Sequence, residues 1–311
     1  MKNLKHNMVR LLALAGIVSV CAAMNPLLGA APVTPSISHA MGSSPCVWGV
    51  PLRKPDGALD VAATIRDLRN NGFDCYVHVI ESAPPNSFED FKRLLPAAQA
   101  AGISVWPVLI PPSEAGALGG SMPYKGDYVQ WMKALAQLSL KYPALRGVNI
   151  DDLLINISSK TFDRSYLCKL YKTKQDINPK LLFVPTIYDL GPEEADRLGG
   201  CVDGVWLWWV NLEHNDGWRS LLEDSRIAIH NRFPIYGGVY AHSTSWHKQG
   251  NPSPKVLKGA LETACRYANG ALIWNLPLAA QASDNPLLQV ARSFASGGSE
   301  ALAGKCGASQ K

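Results

Sequence analysis

Two adjacent carboxylates, Asp151 and Asp152, end the run Leu145-Arg-Gly-Val-Asn-Ile-Asp-Asp152, where a short apolar strand stops abruptly in acid. A carboxylate at a strand end can move a proton, attack an electrophile or bind a hard cation. Successive side chains on a strand face opposite ways, so Val148 and Ile150 suit one face while Asn149 and Asp151 suit the other. Both acids can face the same way only if the strand has already ended. Asp151 is therefore the first catalytic candidate, and Asp152 is either a second carboxylate or a loop or helix-cap aspartate.

Acid–base work on a bond needs a second group. Glu81, Glu114, Asp189 and Glu213 each follow a strand-like run. Glu213 ranks first because it lies just beyond Trp206-Leu-Trp-Trp209 and has His214 beside it; Asp189 and Glu81 come next. The same alternation sends His78, Tyr188, Trp206, Trp208, Tyr236, Tyr240 and His242 inward near their strand ends. Trp206 and Trp209 suit a packed core. Trp208, Tyr240 and Trp274 suit stacking on a ligand, with His78, Asn149, Tyr188, Asp189 and His242 as polar contacts. Acids, imidazoles and rings around one opening fit a sugar, whose C–H faces stack on aromatic rings and whose hydroxyls bond polar tips. Two carboxyl groups flanking a glycosidic bond then give hydrolysis.

Other chemistries have less support. Gly-x-Ser-x-Gly, His-Glu-x-x-His and a Gly-x-Gly-x-x-Gly after the first strand are all absent. Two adjacent acids alone are a weak signal for a metal-dependent phosphodiesterase. No metal and no cofactor is implied. A non-catalytic carbohydrate-binding barrel is the rival class; it would keep the rings and lack a spaced acid pair.

The elements that position these residues alternate along the chain. Strand-like runs fall at Cys46 to Leu52, Phe73 to Ile80, Ile103 to Ile110, Arg146 to Asp151, Leu181 to Tyr188, Val202 to Val210, Phe233 to Tyr240 and Ala271 to Asn275. Helical spacing lies between them, as in Val61/Ile65/Leu68, Trp131/Leu135/Leu138 and Val256/Ala260/Ala264. Eight alternating units predict an α/β fold, a single-domain (β/α)8 TIM barrel over residues 41–300, whose C-terminal strand ends build the site. Pro111 to Lys125 reads as the longest loop.

The flanks read differently. Residues 1–40 have the pattern of a signal peptide and leader: a basic start, an apolar stretch from Leu11 to Ala23, then small residues. Cleavage after Ala22 or Ala23 and cleavage after Ala40 both remain open. Residues 301–311 read as a flexible tail. The net charge of +5 shrinks without the leader, since Lys2, Lys5 and Arg10 lie there and no acid does. That balance gives no reason to expect nucleic acid. The expected partner is a poly- or oligosaccharide, with no stable membrane insertion after cleavage and a secreted or periplasmic location. Six cysteines follow the leader, Cys46, Cys75, Cys168, Cys201, Cys265 and Cys306. They suit disulfides whose pairing the spacing leaves open.

With these residues in view, the sequence resembles the secreted (β/α)8-barrel glycoside hydrolases as a superfamily. Gly147-Val-Asn-Ile-Asp151 looks like the fourth-strand segment of chitinase-type barrels, but Asn149 and Leu153 stand where that pattern has Asp and Glu. It is also similar to barrels whose fourth-strand Asp is the nucleophile, including galactosidase and polygalactosaminidase-like groups, and Asp151 is the match. The resemblance implies Asp151 as nucleophile or general base, with a loop acid as proton donor.

Overall fold

The computed structural model describes residues 41, 44–157, 161–211, 215–242, 251–276 and 285–295. The expected leader (1–40), the expected tail (301–311) and the first-ranked acid Glu213 lie outside them. The strands are β1 (Cys46–Trp48), β2 (Cys75–Ile80), β3 (Ser104–Leu109), β4 (Gly147–Ile150), β5 (Leu182–Phe183), β6 (Thr186–Ile187), β7 (Val205–Trp208), β8 (Ile235–Tyr240) and β9 (Ala271–Trp274). The helices are α1 (Val61–Asn70), α2 (Phe88–Ala100), α3 (Pro112–Leu118), α4 (Tyr128–Lys141), α5 (Leu153–Ile157), α6 (Arg164–Ile177), α7 (Pro192–Leu198), α8 (Asn215–Ile229), α9 (Pro254–Tyr267) and α10 (Pro286–Ser293).

All strand pairs are parallel, in the order β5-β4-β3-β2-β1-β9-β8-β7-β6. The two edges are halves of one chain segment. Pro185, which has no N–H, divides that segment, so β5 bonds β4 while β6 bonds β7. Val184 N–H donates to Val148 O at 3.0 Å and Trp206 N–H donates to Pro185 O at 2.9 Å across the division. The sheet thus closes on itself as the expected barrel of eight strand positions, the fifth in two pieces.

The interior is filled by rings rather than left open. Trp206 packs against Trp48 and Trp106 with centroids 6.3 and 5.8 Å apart, and Trp208 meets Trp48 at 5.8 Å. Space for such rings comes from glycine on the neighbouring strands. A Cβ on Gly147 would lie 2.1 Å from the Trp106 ring, and one on Gly238 would lie 2.4 Å from Trp208. Alanine at either position would force the strand or the ring to move.

Two disulfides tie neighbouring elements. Cys46–Cys75 joins the starts of β1 and β2, and Cys168–Cys201 joins α6 to the segment before β7. Their sequence separations of 29 and 33 residues correspond to about 3–4 kcal/mol each by loop-closure entropy. Cys265 is also disulfide-bonded. Among the described residues, no helix is long and apolar enough to cross a membrane.

Candidate active site

β4 ends at Ile150, and Asp152 takes a left-handed backbone with φ of 45°. Aspartate tolerates that region better than most residues. The turn lets both acids leave the strand together before α5 begins. Asp152 N–H donates to Asp151 Oδ1 at 3.1 Å, which fixes one face of the Asp151 carboxyl. Below it, Asn149 is fully buried; its amide donates to Val184 O at 2.7 Å and to Thr186 Oγ1 at 3.1 Å. Trp208 Nε1 donates to the same Thr186 oxygen at 3.3 Å. The Thr186 hydroxyl donates to Asn149 Oδ1 at 3.3 Å and is also hydrogen-bonded to the Asp151 carboxyl, so it links the two side chains.

Asp151 opens onto a cleft of about 330 Å³ at the C-terminal mouth. Trp48, Val79, Val108 and Trp274 form its apolar wall, and Glu81, Glu114 and Asp151 are its acids. Among the described residues, no lysine, arginine or histidine lines it. The volume is at the small end of the range for ligand pockets.

Glu114 reaches this cleft because Pro111 to Lys125 is more than a loop. Residues from Pro112 to Leu118 form α3, which starts with Pro112 in its first turn and stops at Gly119. Glu114 therefore projects from a helix beside the β4 turn. Asn156 of α5 bonds both elements: it accepts from Ser113 N–H at 2.9 Å and donates to Ser113 Oγ at 3.0 Å and to Asp152 O at 2.8 Å.

Burial and like charge act together here. Asp151 is held well above the usual carboxylate range, first by burial and then by the charges of Asp152 and Glu114; the bonds from Asp152 N–H and Thr186 oppose this. Burial also raises Glu114, with Asp152 adding to it. Asp152 is raised by burial, and a hydrogen bond from Tyr188 draws it back. Tyr188 also lies in hydrogen-bonding reach of Tyr240. Tyr188 thus bridges Asp152 and Tyr240 at the mouth. Both phenols are raised, by burial first and by Asp151 next.

Several candidates sit elsewhere or differ from the sequence reading. His78 does not face the mouth. It pairs in register with Pro107, while its neighbours Val77 and Val79 take the inner face, and its ring lies 5.6 Å from Phe91 of α2. There it is buried, and that burial pushes it down to about 4 despite the nearby Asp90. Asp189 is exposed and its Oδ1 accepts from the N–H of Leu190, so it caps its own loop. Trp208 is 2% exposed and forms part of the floor, whereas Trp274 is half-buried on the cleft wall. His242 is exposed just past β8. Glu81 lines the cleft with its carboxylate accepting from Asn86 at 3.0 Å. Trp48, Thr186 and Asn156 were not among the candidates. Alternation from Cys46 points to Trp48, and alternation from Tyr188 back along its strand points to Thr186.

No family model matches the sequence, and no curated protein matches it. Among solved structures, it is similar to beta-galactosidase from the psychrophilic Marinomonas ef1 (10% identity, TM-score 0.56, 80% of this chain and 58% of that one). It is similar to chitinase from Chromobacterium violaceum (9%, 0.52, 81% and 99%) and to Eubacterium rectale Amy13B (10%, 0.50, 73% and 65%). The chain spans less than two thirds of the galactosidase and of Amy13B. At such low identity the likeness lies in the fold: this chain is a (β/α)8 barrel of the kind that glycoside hydrolases share.

Proposed function

We propose that the protein is an exported glycoside hydrolase that cleaves a poly- or oligosaccharide in the cleft at the barrel mouth. One observation carries the reading: two carboxyls from separate elements, Asp151 after β4 and Glu114 on α3, line one aromatic-walled cleft. Trp48 and Trp274 offer ring faces to a sugar, and Asn275 and Glu81 offer polar contacts.

The electrostatics divide the work. Burial and two acidic neighbours favour the protonated form of Asp151, which suits it to act as general acid for the leaving oxygen. This reverses the nucleophile or base role expected from sequence. Glu114, also raised by burial and Asp152 but with fewer acids against it, takes the base or nucleophile role in this reading. Asp152 sits next to the acid, and its hydrogen bond from Tyr188 favours its charged form against burial. The two described disulfides suit the oxidising compartment that a leader would deliver the chain to.

The test is to incubate the purified protein with a panel of neutral, amino and acidic polysaccharides and measure new reducing ends, then read the product anomer by NMR. Release from at least one saccharide is expected. Binding without release from any of them would favour the non-catalytic carbohydrate-binding barrel.

A further inference from the structure

We propose that Asn156 is a positioning residue that locks α3 to the turn after β4 and thereby sets the separation of Glu114 from Asp151. The inference rests on the functional reading above for the importance of that separation, and on geometry alone for the lock.

Asn156 is 2% exposed, and its carboxamide is used on both sides. Its oxygen takes the Ser113 N–H at 2.9 Å, a donor at the start of α3 that has no partner within the helix. Its nitrogen gives one proton to Ser113 Oγ at 3.0 Å and the other to Asp152 O at 2.8 Å. Asp152 O also receives the Asn156 backbone N–H at 3.3 Å, so the residue is fixed to the turn twice. Ser113 directly precedes Glu114, and Asp152 directly follows Asp151. One side chain thus spans the two residues adjacent to the two cleft acids.

The rest of α3 has little else to hold it. The helix is seven residues long, none of its side chains is fully buried, and Leu118 is exposed. Its first residue, Pro112, has no N–H, and Pro111 at the N-cap offers no side-chain acceptor. Without Asn156 the helix keeps its fold-level tether at both ends and loses the contact that fixes its approach to Asp151.

The test is a carboxyl titration by ¹³C NMR of Glu-labelled protein, with the Glu114 resonance assigned by its loss in Glu114→Gln. Asn156→Leu and Asn156→Ala remove the brace from the β4 side. Ser113→Pro removes the donor from the α3 side without altering the buried Asn156. It provides the test if the buried Asn156 variants fail to fold. Glu114 is expected to titrate lower in these variants by about 0.5–1 pH unit, as it becomes better hydrated and its distance from Asp152 grows by a few ångströms. Ser113→Ala keeps the N–H contact and should shift it less. A loss of stability alone would not move a native-state midpoint. Unchanged Glu114 midpoints in Ser113→Pro and the folded Asn156 variants would overturn the proposal. The titration needs no substrate, so it stands or falls separately from any failure to find a cleaved saccharide.

Discussion

Asp203, before β7 and against α6, and Asp151, after β4, are both largely buried acids, and they are treated in opposite ways. Asp203 accepts from Phe183 N–H at 2.7 Å and Tyr171 Oη at 3.2 Å, and it pairs with the fully buried Lys174 at 2.5 Å. Lys174 also lies 4.4 Å from the Tyr171 ring centroid. Every feature there compensates the charge and ties the two-piece fifth strand to β7. Asp151 has two donors and two acids beside it, with no cation lining its cleft among the described residues. An acid with its full set of partners is part of the scaffold. An acid set against other acids carries a free-energy cost, and its use lies in the proton it holds.

That contrast can be broken most strongly through turnover. Asp151→Asn should lower kcat by about 10³–10⁵ on a saccharide the parent cleaves, since it deletes the acid while keeping its shape. Lys174→Met should leave kcat of the folded protein close to the parent's. Equal losses in the two variants would erase the distinction.

Stability should respond in the reverse sense. Lys174→Met strands a buried carboxylate and should cost about 3–5 kcal/mol, a fall of about 6–20 °C in Tm at about 2–4 °C per kcal/mol. A Tm within 2 °C of the parent would show the pair to be dispensable.

His78 gives a smaller, pH-dependent effect. Its folded value of about 4 lies below its ordinary value, so the unfolded chain binds the proton more readily. Its contribution is intact above the ordinary range near 6.5 and is lost as pH falls toward 4. Urea unfolding at pH 7 and 4.5 should show the parent losing about 2–3 kcal/mol more than His78→Leu between those conditions. Identical losses would mean the imidazole is not enclosed.

Asp151→Asn should give the smallest shift, and a stabilising one. A carboxyl raised on folding costs stability as pH rises above its unfolded value of 3.8. Removing it should gain about 1–2 kcal/mol at neutral pH, with the gain shrinking toward pH 3.8. Destabilisation at pH 7 would indicate that the site is not strained by its charges.

The barrel was legible because strand-like runs alternate with helical spacing along the chain, and because β4 alternates cleanly between Val148/Ile150 and Asn149/Asp151. The second strand gives no such cue. Cys75, Val77 and Val79 face one way, Tyr76, His78 and Ile80 the other, and both sets suit burial, so counting from the strand end placed His78 on the wrong face. Glu114 was seen but ranked low, since Pro111 to Lys125 was read as loop on its glycines and prolines. Pro112 and Gly119 are the ends of a helix there. The Asn156 contact joins residues 43 apart in sequence and leaves no local pattern to read.

The pairing of Glu114 with Asp151 is the central claim, and turnover of Glu114→Gln on a saccharide the parent cleaves tests it most directly. Glutamine keeps the shape and removes the charge. The account predicts kcat lower by about 10²–10⁴ with saccharide binding retained. Parental turnover in that variant would contradict it.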